Sequence, residues 1–325
     1  MMKSKYSIVA VLLLPLFVFG CQDERKETPT KGRTTVVVSE SVAPMIQQEK
    51  LTFEELYQEA HVELQTSTAR EAIARLFNDS IMVIVSSRPL NDEERAIQHR
   101  ANIILGEYKI AIDGIAVIVH PGNTITQLRT TQLDSILTGK TTSWKSLGSD
   151  LASHIETCLP SRNTGTFETT ISKIVKNDSV ATPAFVTASS MEMINYVAAH
   201  PNAIGFVGLD WLNPNKEKVK TLELSDPSAP DSLGIKGKYF GPHPAYIYQG
   251  YYPLARGIYM YSRADNYGVS AGFITFITSG PGQKIVLGSG LVPATMPVRL
   301  VETTSKSIGT TNLLQPLFTS AVKKN

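Results

Sequence analysis

The residues of this chain best suited to bind a ligand lie in the segment LPSRNTGTFETT. Arg162 precedes Thr164, Gly165 and Thr166, and the apolar spacing after them predicts a helix over residues 167–175. The free N–H groups of a first helical turn attract anions, and two hydroxyls and a guanidinium would make such a pocket more selective. The segment therefore predicts an oxyanion clamp. An ordinary capped helix beside a surface arginine is the alternative explanation of this segment alone.

Hydroxyl residues also follow three strands predicted in the first third of the chain. They form the clusters Ser39-Glu40-Ser41, Thr66-Ser67-Thr68 and Ser86-Ser87-Arg88. Each cluster by itself could simply cap a helix. In an open α/β sheet, however, ligands bind beyond the carboxyl ends of the strands. Three such clusters in series therefore predict one shared binding site.

Alternating strand and helix patterns predict an α/β fold. A first strand over 35–38 is followed by a helix from Pro44 to about Ala60, and Val62-Glu63-Leu64 predicts a second, short strand. The longest strand pattern, 108–120, carries Asp113 in its middle. A carboxylate inside an apolar strand needs an ion pair, hydrogen bonds or a ligand, and the sequence leaves these choices open.

The sequence shows no metal-protease, redox or nucleotide-binding motif. Its six histidines form no HExxH motif, and C-x-x-C does not occur. Gly139-Lys140-Thr141 resembles the end of a P-loop, but Asp134 stands where the leading glycine is required. We therefore expect a binding protein rather than an enzyme.

The N-terminus predicts export and lipid attachment. Lys3 and Lys5 precede an apolar run over 8–19, which is typical of a signal peptide and short for a membrane span. The run ends in Val18-Phe19-Gly20-Cys21, which resembles a lipobox with a bulky third-to-last position. We expect residues 1–20 to be removed and Cys21 to be lipidated. A simple cleaved signal with an incidental cysteine is the alternative.

The charge balance argues against nucleic-acid binding, and the cysteine content excludes an intramolecular disulfide in the lipidated protein. The chain has 31 basic residues and 29 acidic ones, and removing Lys3 and Lys5 with the signal leaves 29 of each. A neutral protein lacks the concentrated basic surface that general nucleic-acid binding requires. Once Cys21 is lipidated, only Cys158 remains, so no intramolecular disulfide can form. The polar stretch up to Arg33 predicts a flexible tether over residues 21–33.

Several segments together resemble the phosphate ABC-transporter substrate-binding proteins, in that family's order and over most of residues 35–300. They are SESVAPMI (39–46), VSSRPLNDEE (85–94), QLRTTQLDSILTGKTTSWKSLG (127–148), AHPNAIGFVGL (199–209), YPLARGIYMYSR (252–263) and FITFITSGPGQKIVLGSGLVPA (273–294). The resemblance implies a two-lobed periplasmic-binding-protein-like fold, each lobe an open α/β sheet, with the ligand cleft between them. Lobe one would comprise 34–114 and 258–325, and lobe two 115–257.

The resemblance also implies a set of anion contacts. These are Ser41, Ser67, Ser87, Arg88, Thr164, Gly165 and Thr166. Ser87 stands where phosphate-binding members often have an aspartate, and the family arginine usually lies further ahead of the turn than Arg162 does. Either Arg162 or Arg88 would then supply the positive charge. Glu40 or Asp113 would accept the proton of a phosphate ligand, unless both carboxylates are structural.

The function implied by the resemblance is the capture of inorganic phosphate for the permease of an ABC importer. We expect a monomer, attached by lipid to a membrane on its periplasmic or extracellular side, that needs no cofactor or metal. Two alternatives remain open at this stage. The ligand could be another tetrahedral oxyanion such as sulfate, molybdate or a phosphonate, or the protein could be an oxyanion-sensing surface lipoprotein without a transporter.

Overall fold

The computed structural model describes residues 27–149, 153–176, 179–263 and 266–295. The predicted signal peptide, Cys21 and residues 296–325 of the predicted first lobe lie outside these ranges. The strands are β1 Lys31–Ser39, β2 Glu59–Ser67, β3 Val83–Ser86, β4 Leu105–Val119, β5 Gln127–Arg129, β6 Glu156–Pro160, β7 Phe185–Thr187, β8 Ala203–Gly208, β9 Lys220–Thr221, β10 Glu223–Ser225, β11 Ala255–Arg263 and β12 Val292–Pro293. The helices are α1 Ala43–Leu56, α2 Ala69–Phe77, α3 Asp92–Arg100, α4 Thr130–Leu137, α5 Gly165–Ile174, α6 Ser190–Ala199, α7 Leu209–Leu212, α8 Pro244–Tyr248, α9 Gly268–Thr278 and α10 Gly280–Gly288.

The strands of the main sheet follow the order β2-β1-β3-β11-β4-β8-β6-β7. Strands β1, β2 and β3 are parallel to one another, and so are β6, β7 and β8. Strand β11 is antiparallel to both β3 and β4, and β8 is antiparallel to β4. The two parallel groups therefore run in opposite directions, and their carboxyl ends face each other.

Strand β4 belongs to both halves of this sheet. Its residues 105–114 pair with β11, whereas 115–119 pair with β8. The Ile115 N–H donates to the Leu254 carbonyl at 2.8 Å, so the chain enters and leaves the second half at one point. Asp113 lies just before this change of partner, where the two sets of strand ends meet.

The predicted elements are largely present, with different bounds near the N-terminus. Helix α1 ends at Leu56 rather than near Ala60, and β2 extends over nine residues because it pairs with β1 along its whole length. Strand β1 begins at Lys31, so the last residues of the predicted tether already belong to the fold. The apolar run Val36-Val37-Val38 is buried on both faces of the sheet, as parallel strands covered by helices require.

Candidate anion-binding site

The ends of β1 and β3 form one buried, hydroxyl-rich wall. Ser39, Ser41, Ser86 and Ser87 are all at most 5% exposed. The Ser87 N–H donates to Ser39 Oγ at 3.2 Å and ties the two strand ends together. Ser67, at the end of β2, is half-buried, and its hydroxyl donates to the Thr68 carbonyl at 3.0 Å. The three clusters predicted from the sequence thus lie side by side.

Helix α5 begins directly opposite this wall. Thr164 is its N-cap: its hydroxyl accepts from the Phe167 N–H at 3.2 Å and donates to the Ser161 carbonyl at 2.7 Å. Gly165 packs so closely on the third strand end that a Cβ there would lie 3.1 Å from the Ser87 carbonyl carbon and oxygen. A side chain at position 165 would therefore push α5 away from the serines.

A buried arginine that we did not predict as a site residue connects α5 to the middle of the sheet. Arg256, on β11, donates through Nη1 to Thr166 Oγ1 at 2.8 Å. Its Nε and Nη2 donate to Asp113 Oδ2 at 2.9 and 2.7 Å. The sequence signal was available, because Arg256 and Asp113 are each a charge inside an apolar strand, but their pairing follows from the register of β4 and β11.

Asp113 is occupied by protein donors. Its Oδ1 accepts from the Leu209 N–H at 3.0 Å, and its side chain is fully buried. Burial raises the pKa of Asp113, while Arg256 and the backbone donors oppose that shift. Gly208 is required beside this pair, because a Cβ would lie 2.7 Å from Asp113 Oδ2 and 2.8 Å from Arg256 Nη2. Asp113 thus acts on the site by orienting Arg256.

The two arginines proposed from the sequence do not line the space between the strand-end serines and α5. Arg162 is exposed, with its guanidinium carbon 5.9 Å from the centre of the Phe167 ring, so the structure does not bring it into the cluster. Arg88 is buried, but both of its terminal nitrogens donate to Glu94 at 2.7 Å. Its Nε lies 2.6 Å from Glu168 Oε2 on α5. Arg88 therefore links the end of β3 to α5 by its ion pair with Glu168. Its positive charge is already neutralised by Glu94 and Glu168.

Glu40 contacts the beginning of another helix, α6. Its Oε1 accepts from the Ser190 N–H at 3.0 Å and its Oε2 from Ser190 Oγ at 2.9 Å. Burial raises the pKa of Glu40, and the bonds from Ser190 and the charge of Arg256 oppose that shift. The side chain is half-buried and borders the same space as Ser41 and Thr164. Glu40 and Asp113 were the two carboxylates predicted to face a ligand, and Glu40 is the one that borders this space.

A cavity of about 220 Å³ lies between the strand ends and α5. Its lining comprises Ser39, Glu40, Ser41, Thr66, Ser67, Thr68, Ala69, Glu71, Ser87, Thr164, Gly165 and Ala188. Ser87 is fully buried, and its Oγ has no hydrogen-bond partner within the described residues. A buried hydroxyl without a partner in the protein is available to donate to a ligand or to water. The cavity can hold a small anion surrounded by hydroxyls and the N-terminus of a helix.

A larger hollow of about 810 Å³ lies on the far edge of the sheet, between β1, β2 and α1, and is open to solvent. Two of its charged side chains pair with each other: Lys50 Nζ donates to Glu54 Oε2 at 2.6 Å, and Glu54 Oε1 also accepts from the Val62 N–H at 2.7 Å. Within the described ranges, none of the buried side-chain atoms that lack a hydrogen-bond partner lines this hollow. The smaller cavity is therefore the candidate site.

Other classes of site find little support in the described ranges. The His, Cys, Asp and Glu side chains placed there form no group of three or more suited to a metal ion. Cys158 is buried and unpaired, and burial raises the pKa of its thiol to about 12, which disfavours the reactive thiolate. In the same ranges, no helix combines the length and apolar character needed to cross a bilayer.

Comparison with known proteins agrees with this geometry. A family model described as a PBP superfamily domain matches residues 23–281. The phosphate-binding protein PstS of Staphylococcus saprophyticus is 26% identical over 241 residues, which cover 74% of this chain and 72% of that protein. PstS of Staphylococcus epidermidis is also 26% identical, over 263 residues, 78% of this chain and 76% of that protein.

Solved structures share the fold. A phosphate-bound crystal structure from Clostridium perfringens, of a protein assigned to the phosphate ABC transporter substrate-binding proteins, superposes with a TM-score of 0.71 at 23% identity. An ABC-type phosphate transport receptor from Vibrio cholerae superposes with a TM-score of 0.62 at 24% identity. Each comparison covers 81% of this chain and the whole of the other. The predicted two-lobed α/β fold is confirmed, and the matched proteins are binders, in agreement with the expectation that this chain is not an enzyme.

Proposed function

The chain belongs to the PBP superfamily, and from this premise we propose that it captures inorganic phosphate for an ABC importer. The names of its relatives and the phosphate in a structural neighbour support the ligand. The observation that carries the proposal is the arrangement of Arg256, Thr166 and Ser87. Ser87, with its unpaired buried hydroxyl, lines the small cavity together with Thr164 and Gly165 at the start of α5. Behind them, the oriented guanidinium of Arg256 donates to Thr166 in the first turn of the same helix.

The anion would be held by hydrogen bonds more than by free charge. Arg256 is matched by Asp113, and Arg88 is matched by Glu94 and Glu168. Ser41, Ser67, Ser87, Thr164, Gly165 and Thr166 remain the proposed contacts, through hydroxyls and backbone N–H groups. Arg256 takes the cationic role that we had assigned to Arg162 or Arg88. Each hydrogen bond to a charged group contributes about 1.5–3 kcal/mol.

Closure of two lobes over the anion would complete the site. We propose the division expected from the sequence, 34–114 with 258–325 and 115–257, supported by the change of partner along β4. The site residues then come from both lobes, with the strand-end serines on one and α5 on the other. Bound anion would bridge them, as hinge closure requires.

The mature protein would be attached to the membrane through Cys21. Support comes from the apolar run and lipobox-like segment described above, all of it outside the described residues. The membrane partner would be the permease of the importer, and we expect the protein itself to act as a monomer.

A ligand screen tests the proposed function. The protein lacking residues 1–21 is melted in the presence of phosphate, sulfate, molybdate and methylphosphonate, and each dissociation constant is measured by calorimetry. Phosphate is expected to raise the melting temperature most and to bind most tightly. Tighter binding of another oxyanion would transfer the function to that ligand, and the absence of binding by all four would reject the proposal.

A further inference from the structure

The N-terminus of helix α6 has a local cap made by neighbouring residues, and Glu40 contacts it in addition. The Glu192 N–H donates to Ser189 Oγ at 3.2 Å, and the Ala188 N–H donates to Glu192 Oε2 at 2.7 Å. Glu40 then adds a second carboxylate from a distant loop, held by the N–H and hydroxyl of Ser190. The start of this ten-residue helix therefore accommodates an anionic group in addition to its local cap.

An independent observation beside Glu40 also points to a ligand. Thr187, the last residue of β7, is 1% exposed, and its Oγ1 has no partner among the described residues. It lines the same pocket as Glu40, Thr166 and Ser190. A buried hydroxyl that faces a helix N-terminus without a partner is a donor ready for an anion.

This second pocket adjoins the proposed phosphate site. The two cavities share Glu40, Ser41 and Thr164 in their walls. With the Glu40 side chain in place, the free volume of the second pocket is only about 10 Å³, room for about one water molecule and too little for a phosphoryl or carboxylate group. Glu40 therefore fills a position that an anionic extension of the ligand would otherwise reach.

We propose that Glu40 is a specificity-determining residue whose carboxylate occupies a second anion subsite, formed by Ser190 and Thr187, and restricts the ligand to a single tetrahedral oxyanion. The inference rests on the proposed function. An anion with a second phosphoryl or carboxylate group, such as pyrophosphate or phosphonoacetate, would meet both a filled volume and a like charge. Phosphate itself needs only the first cavity.

Calorimetric titration of Glu40→Ala and Glu40→Gln with phosphate and with pyrophosphate tests this inference. Glu40→Ala frees the volume and the donors of Ser190, so the affinity for pyrophosphate relative to phosphate is expected to rise at least roughly tenfold. Glu40→Gln keeps the volume and should change the ratio less than Glu40→Ala does. Glu55→Ala is the charge-matched control, because Glu55 is exposed on α1 and lines neither cavity, and it should leave the ratio unchanged.

The outcomes separate this inference from the proposed function. Failure of the unaltered protein to bind phosphate rejects the proposed function. Two results would overturn the role of Glu40. In the first, Glu40→Ala binds phosphate normally and its affinity for pyrophosphate relative to phosphate is unchanged. In the second, the unaltered protein already binds pyrophosphate as tightly as phosphate. Adding Thr187→Val to Glu40→Ala should remove the increase in relative affinity for pyrophosphate. That result would identify Thr187 as part of the second subsite. If Glu40→Ala does not fold, Glu40→Ser makes the same space while keeping a polar group in the loop.

Discussion

Arg256 and Asp113 stand directly opposite each other on the antiparallel strands β11 and β4. The guanidinium donates twice to one carboxylate oxygen, Asp113 Oδ2, and its remaining terminal nitrogen reaches Thr166 at the start of α5. The ion pair therefore fixes the direction of the guanidinium toward the helix N-terminus. An arginine suits this position because its planar fork can make both sets of contacts at once.

Replacing Arg256 with alanine should weaken phosphate binding by about a hundredfold or more, since both a charge-assisted donor and the orientation of Thr166 are lost. Arg256→Lys should restore only part of the affinity, because an ammonium group cannot reproduce the fork. Calorimetry measures the affinity. Thermal unfolding without ligand measures the separate cost of leaving Asp113 buried and unpaired. Unchanged affinity in Arg256→Ala would remove this residue from the site.

The other two arginines should behave differently from Arg256 and from each other. Arg162→Ala should leave phosphate affinity within about twofold, because the side chain is exposed and packs on Phe167. Arg88→Ala should lower the free energy of unfolding by about 3–5 kcal/mol, because Glu94 and Glu168 would lose their buried partner. Chemical denaturation and calorimetry on both variants check this contrast. A large loss of phosphate affinity in Arg162→Ala would instead assign the cationic role to Arg162.

Ser87 and Ser86 form a matched pair for the role of the unpaired hydroxyl. Ser87→Ala removes a hydroxyl with no partner in the described residues, so stability should be unchanged or slightly higher while phosphate binds about tenfold more weakly. Ser86→Ala removes the donor to the Arg88 carbonyl, a 2.7 Å bond, so it should lower stability by about 0.5–1.5 kcal/mol. Denaturation and binding measurements giving the same pattern for both variants would contradict this prediction.

Glu49 should make the protein less stable as the pH rises. This α1 residue is fully buried, neither carboxylate oxygen has a partner in the described ranges, and burial raises its pKa from 4.5 to about 9. A raised pKa means that the folded state holds the proton more tightly. Its stabilising contribution is therefore complete below about pH 4.5 and is lost as the pH rises toward 9. The loss has an upper limit of about 1.4 kcal/mol per pH unit.

Glu49→Gln removes this titration and should flatten the dependence of stability on pH over that window. Urea denaturation of both proteins at pH 5, 7 and 8.5 gives the comparison. Glu55→Gln on the same helix is the control, because Glu55 is exposed and should leave the slope unchanged. Parallel curves for Glu49→Gln and the unaltered protein would contradict the prediction.

The lipobox-like segment predicts that Cys21 becomes a diacylated N-terminus, since more than one acyl chain is needed for stable anchoring. Cys21→Ala should leave an uncleaved precursor and abolish labelling by a fatty-acid analogue in cells. A variant that is processed and labelled as before would show that the attachment is elsewhere.

Local features of the fold and site could be predicted from the sequence, whereas contacts across the sheet could not. The N-cap Thr164 and the serines at the strand ends follow from residue type and short-range spacing. Arg162 was one of two candidates for the positive charge because it is near Thr164 in sequence, but its side chain is exposed and lies over the Phe167 ring. The Arg256–Asp113 pair depends on the register of β4 and β11, which joins residues far apart in the chain.

The single entry and exit point at Ile115 and Leu254 has a consequence for how the protein unfolds. Beyond strands β4 and β11, the two halves are held together across the cleft by polar contacts such as Arg88 to Glu168 and Glu40 to Ser190. An anion bound between the strand ends and α5 adds further links of the same kind. The ligand would thus strengthen the coupling between the two halves, and both the sharpness of the melting transition and its midpoint would then report how much of the protein has anion bound.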